Sequence, residues 1–219
     1  MTTRTAWARA AGPVLVLMLA WPFGLYAVDL GLRGLTERLW IESRLFGRQT
    51  PVANGAIALH MVTGGIITIL APLQLVPALR ARWPAWHRWA GRVTVAAAMA
   101  AAIGGLSYIA LRGTIGGPPM SAGFALYGLL MGLAALQAVR FARAGDVRRH
   151  RNWALRLFVL AVASFLYRLH YALWEIATGG AASNDAFTGA FDRVQVFAFY
   201  LPYLALVELW IRLRPEPRL

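Results

Sequence analysis

Six mostly apolar stretches run near residues 11–30, 56–79, 93–111, 122–142, 155–178 and 194–211. Each approaches the length of about 20 residues that a helix needs to cross a hydrocarbon core. A segment inside lipid must satisfy every backbone N–H and C=O internally, which leaves only helices and closed barrels, and uninterrupted runs of this length select helices. The pattern predicts an all-α polytopic membrane protein with six transmembrane helices, the second to fifth forming a four-helix core. Composition agrees: 219 residues that are 59% hydrophobic and 14% charged carry more apolar surface than one soluble core of ordinary composition would hide.

Arginine placement predicts the orientation. The 22 basic residues are all Arg, and fifteen of them flank alternate ends of the spans: Arg4 and Arg9; Arg80, Arg82, Arg88 and Arg92; Arg140, Arg143, Arg148, Arg149, Arg151 and Arg156; Arg212, Arg214 and Arg218. By the positive-inside rule those ends are cytoplasmic, so both termini are expected inside, with the chain in the cytoplasmic membrane. The first span lacks a small-x-small cleavage site around Tyr26–Asp29 and reads as a retained anchor. Trp7, Trp83, Trp86, Trp89, Trp153 and Trp210 fall at the inner interface and Trp40 and Trp174 at the outer one. The net charge of +13 does not indicate a nucleic-acid partner, because the arginines alternate with apolar spans and form no basic domain.

Between the first two spans, residues 32–48 place Leu32, Leu35, Leu39 and Phe46 among Arg33/Glu37 and Arg38/Glu42 pairs, the pattern of an amphipathic helix on the outer surface. Gly64-Gly65, Gly104-Gly105 and the Gly128/Gly132 pair would let helices approach closely. Gly64, one turn from His60, would equally leave room for a bound group, and packing is the preferred reading. Pro72, Pro77 and Pro202 mark places where spans two and six can bend.

The absence of cysteine excludes disulfides, thiolate metal sites and covalently attached haem, so any metal chemistry must rest on His, Met or carboxylate. No hydrolase triad, zincin motif, P-loop or dinucleotide fingerprint occurs. The four histidines fall at two levels, His60 and His170 toward the outer ends of spans two and five, His87 and His150 at the inner mouths of spans three and five. His87-Arg88-Trp89 with Arg92, and His150-Arg151 with Trp153 and Arg156, both read His-Arg, Trp, Arg before an apolar helix. A helix N-terminus beside Arg and His favours an anion. Ordinary Trp/Arg interface anchoring accounts for the same residues equally well.

His60 through Arg80, the Trp83-Pro84-x-x-His87-Arg88-x-x-Gly91-Arg92 loop and the Arg149-His150-x-x-Trp153-x-x-Arg156 segment together resemble the bacterial membrane family known as domain of unknown function 2306, over roughly residues 55–210. That resemblance implies a membrane fold and no activity. More distantly, the layout is similar to the six-helix transmembrane b-type cytochromes. This similarity implies haem b between helices two to five, with His60 matching the helix-two ligand, His87 the helix-three ligand and His150 the helix-five ligand. The helix-four position carries no histidine, and Met120 or His170 is left to complete an outer site. An inner haem between His87 and His150, its propionates held by Arg88, Arg92, Arg151 and Arg156, is the implied cofactor site.

Arg168 stands twelve residues beyond Arg156, about 18 Å along a helix, and so near the bilayer midplane. An intramembrane arginine points to function by default. Helical spacing puts Arg168, Tyr171 and Glu175 on one face and His170 with Trp174 on another. Glu208, four residues from Arg212, is too shallow to be its partner. Three functions follow as expectations: a haem-binding redox or haem-handling membrane protein; a transporter or a binder of an anionic lipid or small-molecule anion at the cytoplasmic face; and a ligand-free assembly subunit.

Overall fold

The computed structural model describes residues 3–41 and 43–213, with side chains from residue 11 onward. Glu42, Arg214 and Arg218 lie outside the described residues, as do the side chains of Arg4, Trp7 and Arg9, and with them the roles assigned above. The elements are helical throughout: α1 (Thr3–Thr36), α2 (Pro51–Gln74), α3 (Pro77–Arg82), α4 (Pro84–Arg112), α5 (Gly117–Arg143), α6 (Val147–Thr178), α7 (Ala190–Ala198) and α8 (Leu201–Leu213). Six segments are long and apolar enough to cross a membrane, the sixth being α7 and α8 together. Large apolar side chains such as Leu15, Met18, Ile103, Leu129, Leu136 and Leu206 stand exposed on the outside of the bundle. An apolar exterior of this extent is a lipid-facing surface. The protein is a multi-pass membrane protein.

The expected four-helix core forms. Helices α2, α4, α5 and α6 close a ring, α1 lies against α2 on the outside, and α7 and α8 cover α5 and α6. Small residues let the ring tighten: Ala97, Ala98, Ala101, Ala134, Ala135 and Ala163 are buried in one cluster with Leu160, Phe199 and Tyr200. Polar side chains tie the helices through backbone carbonyls. Thr68 donates to Ala161 O at 3.2 Å, Tyr127 to Leu160 O at 2.6 Å and Tyr200 to Gly123 O at 3.1 Å. These bonds replace the water that the bilayer withholds.

Two of the predicted spans are broken. The apolar window 56–79 runs across a break at Leu75 and Val76, where α2 ends and Pro77 opens the short α3. Pro77 has no N–H to continue the helix, and the residue before a proline is pushed toward extended geometry; Val76 adopts it, with ψ at 110°. The last span breaks at Phe199–Tyr200, just ahead of Pro202.

The predicted surface helix over 32–48 does not form. Helix α1 continues to Thr36, a single 3-10 turn covers Leu39–Ile41, and the chain then folds inward as a plug. Leu39 and Phe46 are buried against Ala53, Ile57, Met61 and Tyr108, a larger apolar gain than an interfacial position gives. Asn54 holds the plug by bonding Gly47 N at 2.9 Å and Gly47 O at 2.7 Å, and Tyr108 and Arg112 both donate to Leu45 O. The Arg33–Glu37 pair is present at 2.9 Å, and Arg33 holds the exposed Glu37 carboxyl below the usual range.

Glycines divide by role. A Cβ on Gly65 would strike Gly24 O of α1, and one on Gly104 would lie 2.6 Å from Ala56 O of α2, so both serve close packing. Gly64 has open space around its Cβ position. Its packing reading is therefore corrected: it faces a cavity. Gly65→Leu is expected to lower stability in detergent by about 1–3 kcal/mol through overpacking, whereas Gly64→Ala leaves the thermal unfolding midpoint unchanged. Unfolding monitored by intrinsic fluorescence checks both; equal effects would contradict the assignment.

Candidate functional site

At the end opposite the arginine clusters, the ring of α2, α4, α5 and α6 does not close on itself. It encloses a cavity of ≈ 1310 Å³ that reaches from the connecting loops to mid-span. That exceeds the range of about 300–1,000 Å³ usual for small-molecule pockets. Its mouth is edged by Trp40, Arg44, Arg112, Asn184, Asp185 and Phe187, and its floor by Ala101, Met131 and Phe199. His60, Gly64, Tyr127, Tyr167, Arg168 and Tyr171 form the wall between them.

Arg168 is the charge at the centre. It lies about 18 Å along α6 from Arg156 and about 15 Å from Thr178 by helical rise. Its Nη1 donates to Ser164 O at 3.2 Å, and its guanidinium sits 4.5 Å over the Phe23 ring of α1. Tyr26, Tyr127, Tyr167 and His60 are near enough to feel its charge. Among the described residues no carboxylate pairs with it. A guanidinium carries five N–H donors in a planar fork, and Nη1 is the atom that finds a protein acceptor. Glu175 lines the same cavity two turns nearer its mouth, also without an ion-pair partner among the described residues. The shared face of Arg168, Tyr171 and Glu175 expected from helical spacing is thus the face that lines the cavity.

His60 stands on the facing helix. Its Nδ1 is 2.8 Å from Ala101 O, so Nδ1 carries the proton in that bond and Nε2 is left as the acceptor or ligand atom. Gly105 lies beneath the ring, where a Cβ would be 2.9 Å from Nδ1. The cavity therefore sets an imidazole, the Arg168 guanidinium, the Glu175 carboxylate and several phenols around an apolar floor.

A buried carboxylate anchors the mouth. Asp192, 0% exposed, accepts from Tyr171 Oη at 2.8 Å, Ser183 Oγ at 2.7 Å, Gly189 N at 2.9 Å and Asn184 N at 3.3 Å. It binds the turn 179–189 to the cavity wall, and it is the functional neighbour that sequence reasoning missed. The bond from its side chain back to the N–H of Gly189, three residues earlier, is the half of a capping box that the sequence could have revealed. Within this turn Phe187 holds φ at 54°, an unfavourable region for an aromatic residue. Its ring packs edge-on against Tyr171 at 5.6 Å.

The other expected site residues are distributed differently. His170 is not in the cavity: its Nδ1 meets Gln195, and its Nε2 meets Tyr203 Oη at 2.7 Å, so both ring nitrogens are engaged between α6, α7 and α8. Met120 lines the cavity and is buried. His87 and His150 each occupy the fourth position of their helices, with backbone N–H groups bonded to Trp83 O and Asp146 O, in keeping with a repeated box. His150 Nδ1 is 2.9 Å from Ala138 O, and neither ring lines the cavity. The start of α6 is already served by an anion of the chain, since Asp146 Oδ1 accepts from Arg149 N at 2.9 Å. Arg156 is bound to Glu208 through Nε at 3.1 Å and through Nη2, and its guanidinium stacks on Trp153 at 4.6 Å. Arg151 lies against Trp210 at 5.8 Å. Arg88 and Arg92 are exposed in the first turns of α4 and do not line the cavity.

A family model described as a predicted membrane protein, DUF2306, matches residues 57–211. No curated protein and no solved structure matches the chain. The matched region contains α4, α5 and α6 entire and all the α2 residues that line the cavity.

Proposed function

The chain belongs to the DUF2306 family of predicted membrane proteins, whose description assigns no activity, and within it we propose that this member binds a large amphipathic anion in the cavity around Arg168. One observation carries the reading: a guanidinium at mid-span that pairs with no carboxylate among the described residues, on the wall of a cavity whose floor is apolar. A charge at that depth costs several kcal/mol unless it is paired or hydrated. An anion with an apolar body supplies the pair and fills the floor at once. With the arginine-rich end in the cytoplasm, the mouth faces the outer side of the membrane.

A long-chain carboxylate tests this. Detergent-purified protein is expected to bind parinarate saturably, with a rise in its fluorescence, and not to bind the corresponding alcohol. Equal binding of both would contradict a site built on charge.

A second reading is favoured by the His60–Ala101 bond. Haem b is itself an amphipathic dianion, and the same cavity offers an imidazole Nε2 oriented by its bonded Nδ1, open space beside Gly64, and Arg168 and Arg112 for propionates. The iron would supply one-electron chemistry. An absorption spectrum separates the two: a Soret band lost in His60→Ala assigns haem, and colourless protein that still binds parinarate leaves the simpler anion. The inner pair is the less suited place, because Arg156 is neutralised by Glu208 and neither His87 nor His150 borders the cavity.

A further inference from the structure

Two boundaries of the cavity, its mouth and one side wall, are built differently. The mouth is tied down by the four hydrogen bonds to buried Asp192, by Arg44 donating to Asp185 O, and by Tyr108 and Arg112 bonded to the plug at Leu45 O. The side wall facing lipid is the seam between α1 and α6. There α1 is pinned to α2, through Gly24 and Gly31 against Gly65 and Ala58, and touches α6 sparsely. Phe23 and Ala27 are the α1 residues that line the cavity. Phe23 meets α6 through a ring contact of 6.4 Å to Phe165 and through the Arg168 guanidinium above it.

Pro22 immediately precedes Phe23 inside α1. A proline there removes one backbone hydrogen bond and clashes with the preceding turn, so the helix yields most easily beside the residue that closes the seam. Tyr26, 53% exposed, extends the same side of α1 toward lipid within range of the Arg168 charge.

We infer that the ligand comes from the bilayer: a single-chain lipid anion passes through the seam between α1 and α6, where Phe23 on the Arg168 guanidinium is the latch. The anionic head takes the guanidinium from the Phe23 ring, and the hydrocarbon chain trails through the seam into lipid. This rests on the reading of Arg168 as an anion site and adds the source of the ligand and the residue that controls its passage.

The test follows exchange of doxyl-labelled stearate on the full chain in phosphatidylcholine vesicles by electron paramagnetic resonance. Wild-type protein should show an immobilised component that Arg168→Gln abolishes and that butyrate, which carries the same head without the chain, does not displace. Phe23→Leu, which removes the π face, should speed exchange about tenfold. Phe23→Trp, which keeps the face and adds bulk, should slow it, and Asp185→Trp at the mouth should leave it unchanged. Arg168-dependent binding with wild-type exchange in both Phe23 variants, or slowed exchange in Asp185→Trp alone, overturns the seam and spares the anion site. No immobilised stearate, or immobilisation indifferent to Arg168, overturns both.

Discussion

Arg168→Gln is expected to lose at least about 30-fold in affinity for a long-chain carboxylate, since truncating one side of a desolvated, hydrogen-bonded charge pair costs about 2–5 kcal/mol. The same substitution should not unfold the protein. Arg168 supports the fold through one bond to Ser164 O and one face of Phe23, and its side chain is exposed on the cavity wall instead of being packed into the core. Gln retains a donor for Ser164 O. Arg168→Lys should fall between, because an ammonium keeps the charge and loses the planar fork that matches a carboxylate. Parinarate titration beside a thermal unfolding curve checks the pair of claims. A collapse of stability in Arg168→Gln with affinity preserved would make the residue structural.

The second large effect is predicted at Asp192. Replacing it with Ala strands the hydroxyls of Tyr171 and Ser183 and the N–H groups of Gly189 and Asn184, all now bonded to a carboxylate with no exposed surface. Each unsatisfied buried group costs about 1–3 kcal/mol, and partial rehydration at the mouth lowers the sum, so a loss of about 3–5 kcal/mol is expected, as for breaking a buried polar pair. The damage should be local first. Amide exchange ought to rise across 179–189 and at the start of α7 before it rises in α2 or α4, because the tie holds the turn to α6. Asp192→Asn, which keeps an acceptor, should lose less. Uniform exchange throughout the chain would show that the carboxylate holds the whole bundle.

The six-span architecture was legible because hydropathy acts over twenty-residue windows. The same averaging hid what lies inside a window. Leu73, Leu75 and Val76 keep the second span apolar across its break, so only Pro77 signalled where α2 ends. The plug over residues 37–50 was misread because an apolar set of Leu39 and Phe46 suits an interfacial helix and a buried turn equally; the choice depends on the pocket made by Ile57, Met61 and Tyr108, which no local pattern shows.

At the site, the residues that helical spacing could relate were found together: Arg168, Tyr171 and Glu175 on α6, and His60 with Gly64 on α2, all border one cavity. Relations between helices were not readable in this way. The bond from His60 to Ala101 O joins α2 to α4, Asp192 gathers donors from α6 and the turn before α7, and Glu208 serves Arg156 from α8. The repeated His-Arg boxes drew attention to the arginine-rich end, and their matching helical positions are real. Repetition marks equivalent geometry, and a cavity is what turns geometry into a site.

Native mass spectrometry of the protein released from mild detergent tests the central claim most directly. Wild-type protein is predicted to carry an anionic amphiphile that is absent from Arg168→Gln prepared in the same way, with the mass of the released species separating a tetrapyrrole from a lipid acid. Wild-type protein and Arg168→Gln retaining the same adducts to the same extent would contradict it.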